Sequence, residues 1–343
     1  MSDKKVTFEY IARYTNFSKT TISRYFNNPD SLTLKNQEII AQALIDLDYK
    51  ENKVAKILAN GKTEFVGVII PNLYLHYYSE MLNQILLSYE RFGYKFLVFS
   101  GHVKDEVEQR YIQELLAYNI EGMIILSHTI PSKELASYNI PIVTIEREDS
   151  YTCSVNTDNY MGGMQAAELL YKNNCDILIH INVNVPDYIP AYGRIQGFTD
   201  VCIKYGLTYE LLLEDLGNSY EENKKAICKL ASYLDKKYQN KKKGIFLAND
   251  TYANIFLNWL IRIYGCLPDS YRLIGFDNSP ISSEAVIPTS TIGQQIDKIA
   301  EAAMELLVGQ MEERKKRKPV TLKEPIHQVV TPVLISRDTT DHL

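Results

Sequence analysis

A short stretch near the amino terminus, KTTISRYFNN at residues 19–28, leaves Lys19, Thr20, Ser23 and Arg24 on its open side when Ile22, Tyr25 and Phe26 face a core. Cations and short hydroxyls are the groups that bond phosphate oxygens and the edges of bases. A second set of reactive or binding groups follows the apolar runs of the remaining chain: Pro71-Asn72-Leu73, Ser100-Gly101-His102, Ser127-His128, Glu146-Arg147-Glu148, Asn249-Asp250 and Asp277-Asn278. Ligands of open α/β sheets sit beyond the carboxyl ends of the strands, so polar groups gathered there suit a cleft for a hydroxylated molecule. Catalytic spacing is absent. The six histidines (76, 102, 128, 180, 327, 342) form neither HxxxH nor HExxH, and no GxSxG, GxGxxG or Walker pattern occurs. No enzyme activity, cofactor or metal is expected. Gly162-Gly163, at a helix start, could hold an anion on free N–H groups, but close packing accounts for it as well. The basic clusters Lys241–Lys243 and Arg314–Lys318 are read as solvated charge.

The elements that must present the first set are three short helices. Thr7 can cap the first, with Glu9 near its positive end and Phe8, Ile11 and Ala12 at helical spacing. Thr15-Asn16-Phe17 interrupts it, Ser18 can cap the second, and Asn28-Pro29-Asp30 ends that. Thr33 can cap a third, with Ile39, Ile40, Ala43, Leu44 and Leu47 on one side. The arrangement is that of a helix-turn-helix, and a three-helix bundle that binds nothing has the same spacing. The polar face of the second helix favours nucleic acid. Residues 1–62 carry ten Lys/Arg against seven Asp/Glu, while the whole chain is at −5, so a mildly basic head precedes an acidic body.

The elements behind the second set are apolar runs: VGVII (66–70), KFLVFS (95–100), GMIILS (122–127), IPIVTIE (140–146), DILIHI (176–181), YELLLED (209–215), GIFLAN (244–249) and RLIGFD (272–277). Amphipathic stretches separate most of them. Continuous apolar strands alternating with helices predict parallel sheets covered on both faces, and eight such units predict two sheets and two lobes. At 343 residues the chain is long enough for two or three domains. It has no apolar run of about eighteen residues and no secretory leader pattern. Five scattered cysteines without CxxC fit a reducing cytoplasm. The 25 tyrosines are attributed to codon bias.

VTFEYIARYTNFSKTTISRYFNN resembles the signature of the LacI/GalR family of bacterial transcriptional regulators, a DVAxxAG-like helix followed by VSxxTVSRVLN. Ser18, Thr21, Ile22, Ser23, Arg24 and Asn27 fall on matching positions. Asn16 replaces the turn glycine, and Tyr25-Phe26 replaces an apolar pair. The resemblance implies that Lys19 and Thr20 select the operator sequence and that Arg24 contacts a base or phosphate, with Thr7 also at the interface. It continues through a hinge, where Tyr49, Asn52, Ala55, Leu58 and Ala59 match and Glu51 replaces a proline. There it implies a short helix on operator DNA, with Leu58 wedged into a minor-groove step; a plain flexible linker is the alternative.

VGVIIPNL, IPIVTIER, the Val155/Asp158/Asn159/Gly162 pattern, GRIQGF, FLANDTYA, LIGFDNSP and TSTIGQQI resemble the family's sensor domain, which is similar to periplasmic sugar-binding proteins. The implied architecture is an all-α helix-turn-helix head at 1–50, a hinge at 51–62, and an α/β two-lobed periplasmic-binding-protein-like domain at 63–340. That domain has parallel, Rossmann-like lobes. Lobe one is expected at about 63–160 plus 291–322, lobe two at about 161–290 plus 323–340. The implied effector pocket holds Arg194 and Asp277 as hydroxyl partners, Asn249, Glu146 and Arg147 as an acid and base facing the cleft, Tyr77 and Tyr78 as stacking rings, and Gln294 and Pro71. Arg194 and Glu146 could instead form an interlobe salt bridge. The implied partners are operator DNA, a small sugar or sugar-phosphate effector, and a second copy of the chain in a homodimer, with no membrane. Two other readings stay open: a global regulator whose corepressor is a phosphorylated carrier protein, and a transport solute-binding protein.

Overall fold

The computed structural model describes residues 6–50, 62–101, 105–320, 322 and 324–341. The chain divides into two compact units, Met1–Lys62 and Thr63–Leu343. The hinge residues Asn52, Ala55, Leu58 and Ala59 lie outside the described residues.

In the first unit, helix α1 (Phe8–Thr15) is capped by Thr7, whose side chain accepts from the Tyr10 amide. It ends at Asn16, which takes the left-handed φ of 57° that the usual glycine would supply. Helix α2 (Lys19–Asn27) is capped by Ser18, which accepts from the Thr21 amide, and α3 (Leu34–Asp46) by Thr33. Ile11, Ala12, Ile22 and Ile40 are buried between the helices, and Phe8 stacks on Phe26 with ring centroids 4.9 Å apart. Ile39, expected on the core side of α3, is exposed. At 100° per residue it falls just outside the stripe set by Ile40 and Ala43.

The second unit holds two six-stranded sheets. The strands are β1 (Phe65–Ile70), β2 (Lys95–Ser100), β3 (Gly122–Ile125), β4 (Ile142–Ile145), β5 (Cys153–Thr157), β6 (Ile177–Asn182), β7 (Tyr209–Leu213), β8 (Lys243–Leu247), β9 (Tyr271–Asp277), β10 (Ser290–Gly293), β11 (His327–Val330) and β12 (Val333–Ile335). Sheet one runs β11-β5-β4-β3-β1-β2 and is parallel throughout. Sheet two runs β12-β10-β9-β8-β6-β7, parallel except for the β10–β12 pair.

Helices α4 (His76–Leu87), α5 (Tyr89–Phe92), α6 (Asp105–Ala117), α7 (Ser132–Ser137), α8 (Asn159–Lys172), α9 (Gly193–Lys204), α10 (Tyr220–Lys237), α11 (Asp250–Tyr264), α12 (Pro280–Glu284) and α13 (Ile296–Arg314) surround them. Strand periodicity assigns each face. Val66, Val68 and Ile70 pack with Met81 and Ile85 of α4 and Met304 and Leu307 of α13, while Ile69 packs with Ile112 and Leu115 of α6 on the other side. In sheet two, Ile177, Ile179 and Ile181 meet α10 and α11, and Leu178 meets α8 and α9.

The chain passes between the sheets three times: from β5 into α8, from β10 into α13, and from β11 into β12. The expected lobe limits need correction. Residues 290–293 pair with β9 and belong to lobe two, and 327–330 pair with β5 and belong to lobe one. The last crossings therefore fall near 294 and 331. Hydrogen-bond pairing, invisible to hydrophobic periodicity, sets them there. Each sheet reverses strand order beside its first strand, between β1 and β3 and between β6 and β8, and such switch points open a crevice at the strands' carboxyl ends.

Candidate functional site

Two regions gather the predicted residues. On the first unit, Lys19, Thr20, Arg24 and Asn27 are exposed on α2, with Thr21 and Ser23 half-buried beside them. The Ser18 hydroxyl lies 2.8 Å from that of Thr21, and the Asn27 amide donates to the Ser23 hydroxyl at 3.2 Å. Among the described residues neither Lys19 nor Arg24 is in an ion pair, whereas Arg13 is held by Glu9. The start of α2 thus presents two uncommitted cations and several hydroxyls, the inventory that contacts phosphates and base edges in the major groove.

On the second unit, the carboxyl ends of the two sheets enclose a cavity of about 230 Å³. Of the residues that the resemblance implied, Tyr77, Tyr78, Glu146, Arg194, Asn249, Asp277 and Gln294 line it. Pro71 and Arg147 do not. Glu146 turns the chain with a φ of 57°, which sends the next side chain away from the cleft. The Arg147 guanidinium instead donates to the carbonyls of Ser127 and Ile130, inside lobe one.

The lining groups are tied into two hydrogen-bonded chains that meet at Thr157. The Arg194 Nε donates to Asn159 Oδ1 at 2.7 Å and its Nη1 to the Ala248 carbonyl at 2.7 Å, and the guanidinium lies 3.6 Å from the centroid of Phe276. Asn159 donates onward to Glu146 Oε2 at 2.7 Å, and Glu146 Oε1 accepts from the Thr157 amide at 2.6 Å. Asn159 therefore bridges Arg194 and Glu146, which are not a direct salt bridge. The Thr157 hydroxyl donates to Gln294 Oε1, and Gln294 Nε2 donates to Asp277 Oδ1, each at 2.6 Å. Gln294 follows β10 at a crossing and so joins both lobes.

Asp277 adopts φ 108°, a region an L-residue enters only when its surroundings hold it there. Burial raises its carboxyl well above the usual range; the charge of Asp250 adds to this and that of Arg194 opposes it. Asp250, at the start of α11, is buried too, and burial raises it against the hydrogen bonds it accepts from Thr291 and Ser279.

Sequence reasoning missed several contributors. Asn182 lines the cavity at the end of β6, behind a run whose last residue carries the signal. Its amide is fixed by His180, a core imidazole stacked on Phe246 at 4.3 Å, which burial pushes down to about 3 and keeps neutral. The His180 Nδ1 faces the Phe246 carbonyl at 3.0 Å, so Nε2 is left to accept from Asn182. Tyr252, Leu75, Val183, Val185, Ile189 and Ala191 complete an apolar wall. Thr157 and Asn159 lie behind the lining and organise it.

Gly162-Gly163 serves close packing. A Cβ on Gly163 would sit 2.2 Å from the Arg194 carbonyl oxygen, and one on Gly197 would sit 2.0 Å from that of Tyr160. Helices α8 and α9 touch backbone to backbone, which seats Arg194.

Residues 167–340 match the model of a periplasmic binding protein-like domain. Residues 63–233 match that of the periplasmic binding proteins and sugar binding domain of the LacI family. The chain belongs to the LacI/GalR family. Among curated LacI-type relatives, the ribose operon repressor of Halalkalibacterium halodurans is 24% identical over 310 residues, 90% of this chain and 91% of that protein. The HTH-type transcriptional regulator DegA of Bacillus subtilis is 28% identical over 350 residues, 99% of each chain. The crystal structure of the lac repressor dimer bound to operator and the anti-inducer ONPF shares the fold, with a TM-score of 0.79 at 20% identity over 98% of this chain and 99% of that one. A LacI-type regulator from Alkaliphilus metalliredigens, complexed with D-xylulofuranose, aligns with a TM-score of 0.69 at 25% identity over 81% of this chain and 99% of its own. Among the described residues, no helix is long and apolar enough to cross a membrane.

Proposed function

We propose that this LacI/GalR-family chain is a sequence-specific DNA-binding repressor of a carbohydrate-utilisation operon, acting in the cytoplasm as a homodimer. Its grip on the operator is set by a small sugar effector held between the two lobes. One observation carries the reading. A single chain holds both a capped helix with uncommitted Lys19 and Arg24 and a two-sheet cleft floored by Arg194, Asp277 and Gln294. Neither a transport protein nor a simple DNA-binding module needs both. The relatives support it: they include ribose and sucrose operon repressors.

In this mechanism α2 of each protomer enters the major groove of one half-site, and two-fold symmetry in the protein is matched by a pseudo-palindromic operator. Phosphate contacts supply much of the affinity, which falls steeply with salt. The sugar adds contacts that differ between the open and closed arrangements of the lobes, and so shifts their balance. Coupling is reciprocal: operator DNA changes sugar affinity by the same factor.

The test is a selection of the purified full-length protein against random duplexes, followed by anisotropy titrations of the winning fragment with and without candidate sugars. The expected result is a preference of at least about a thousandfold over random competitor, altered by one sugar. A protein that treats all duplexes alike refutes the reading.

A further inference from the structure

The basic run Arg314–Lys318 divides into cations that are tied down and cations that are not. Lys315 Nζ lies 2.7 Å from Glu312 Oε1 and 3.3 Å from Glu121 Oε2, and it donates to the Tyr94 hydroxyl at 3.1 Å. Lys316 pairs with Glu313, and Arg314 donates to the Asn139 carbonyl. Arg317 and Lys318 stand past the end of α13, exposed, and among the described residues neither is in an ion pair or a side-chain hydrogen bond. The turn that carries them is closed by Glu313, which holds Lys316 and accepts from the Val320 amide at 2.9 Å. The helix end does not need these two cations. Arg314 already stands in its last turn, and the amides of Lys315 and Lys316 bond the Glu312 and Glu313 carbonyls.

The place of the turn in the body gives it a partner. Helix α13 starts beside the cleft, just after Gln294, and ends beside the starts of β1 and β3. Glu121 makes the link: one of its oxygens faces Lys315, and the other accepts from the Glu64 amide at 2.9 Å. Thr63, the first residue of the body, donates its hydroxyl to the Asn119 carbonyl at 2.7 Å. The turn is therefore one carboxyl group away from the point where the body's chain begins. The acids around it are occupied: Glu64 is held by Lys95 at 2.7 Å, and Glu121, Glu312 and Glu313 by Lys315 and Lys316. The body as a whole is acidic and repels a polyanion, whereas here two cations are left over. A duplex held by the head is tethered to this point by residues 51–62, which span at most about 40 Å. Tethering keeps its phosphates at high effective concentration for the turn.

We propose that Arg317 and Lys318 form a second DNA contact, carried by the body, which binds backbone phosphates of the duplex flanking the operator. The proposal rests on the regulator reading just given. Such contacts add affinity and no sequence preference, because phosphates are the same at every step. The experiment compares the full-length protein with its Arg317→Gln/Lys318→Gln variant in anisotropy titrations over a range of salt. The probe is the selected operator, once with flanking duplex on both sides and once trimmed bare. On the flanked duplex the variant should bind about three- to tenfold more weakly. Its plot of log affinity against log salt should be shallower by about 2 to 4, since each phosphate contact contributes about 0.9 and a dimer carries two such turns. The ranking of duplexes should not change, and neither should Tm, because the two side chains are exposed. On the bare operator the two proteins should bind alike. Arg317→Lys, which keeps the charge, should stay within about twofold of wild type on both probes. Equal affinity and equal salt slope on the flanked duplex overturn the proposal, and so does a deficit that persists undiminished on the bare operator. A wild-type protein that selects its operator beside a variant that matches it sinks this inference alone. A wild-type protein without duplex selectivity sinks the regulator reading.

Discussion

The two regions that bind partners are built on opposite principles. On the head, the recognition groups of α2 face solvent, and among the described residues Arg24 and Lys19 are tied to no carboxylate. In the cleft, Arg194 is only 8% exposed and Asp277 only 5%, and nearly every polar atom is fixed by another. The contrast follows from the partners. Duplex DNA brings its own dense charge and displaces counterions when cations meet it, so mobile, unpaired side chains suffice. A small molecule brings little total binding energy, and its recognition depends on groups whose ordering is complete before it arrives. The head needs a small core that holds one helix steady. The body needs two sheets and a buried network that hold a dozen groups in place.

The comparison can be broken at either end. The largest effect is expected from Arg24→Ala: affinity for the selected operator should fall at least about a hundredfold in anisotropy titrations, with sugar binding by calorimetry unchanged. If sugar affinity moved equally, the two regions would not be separable functions.

Next is Arg194→Ala, which should cut sugar affinity at least tenfold and abolish the effector response while sparing operator binding. It should also destabilise the body by about 1–3 kcal/mol, because Asn159 and the Ala248 carbonyl lose a buried partner. Normal stability in thermal melts would mean that the cleft is not preorganised.

A third change, Asp250→Asn, tests the buried acids. The folded chain holds this carboxyl above the value of about 4 of a free carboxylate, so between that value and the folded one the fold retains a proton that the unfolded chain releases. Stability from this group is complete below pH about 4 and is lost as the pH rises through the raised range. Asn should flatten that part of the profile of Tm against pH, and an unaltered slope would show the carboxyl ionised in the fold. The smallest effect belongs to the head: Ser18→Ala should cost about 1 kcal/mol and speed hydrogen exchange of the α2 amides roughly fivefold. A protected α2 in that variant would show that the cap contributes little.

What could be read without coordinates divides along the same line. The head was legible because caps and helical period are local: Thr7, Ser18 and Thr33 each accept the amide hydrogen bond their residue type suggests. The eight apolar runs all became strands, since buried parallel strands are written in continuous hydrophobic residues. β5 and β10 escaped periodicity because CSVNT and STIG are polar. Their side chains are buried in hydrogen bonds, such as Thr291 to Asp250 and Thr157 to Gln294, whose partners are distant in sequence. The same reason hid the role of Asn159, which takes up Arg194, and the pairing of His180 with the Phe246 carbonyl. Arg147 was misjudged because adjacency to Glu146 does not reveal the left-handed turn between them. The pocket residues were named by family resemblance, and spacing alone would have marked only the strand ends.

The backbone contact between α8 and α9 has a mechanical consequence. Where Gly163 meets the Arg194 carbonyl and Gly197 that of Tyr160 there is no room for a Cβ, so the two helices are held at backbone contact beside the cleft. A pull on the Arg194 guanidinium therefore moves both helices as one lever. The near end of that lever, Asn159, is where the chain leaves lobe one for the first time. The hydrogen bond from Arg194 to Asn159 ties the cleft to the first crossing between the lobes.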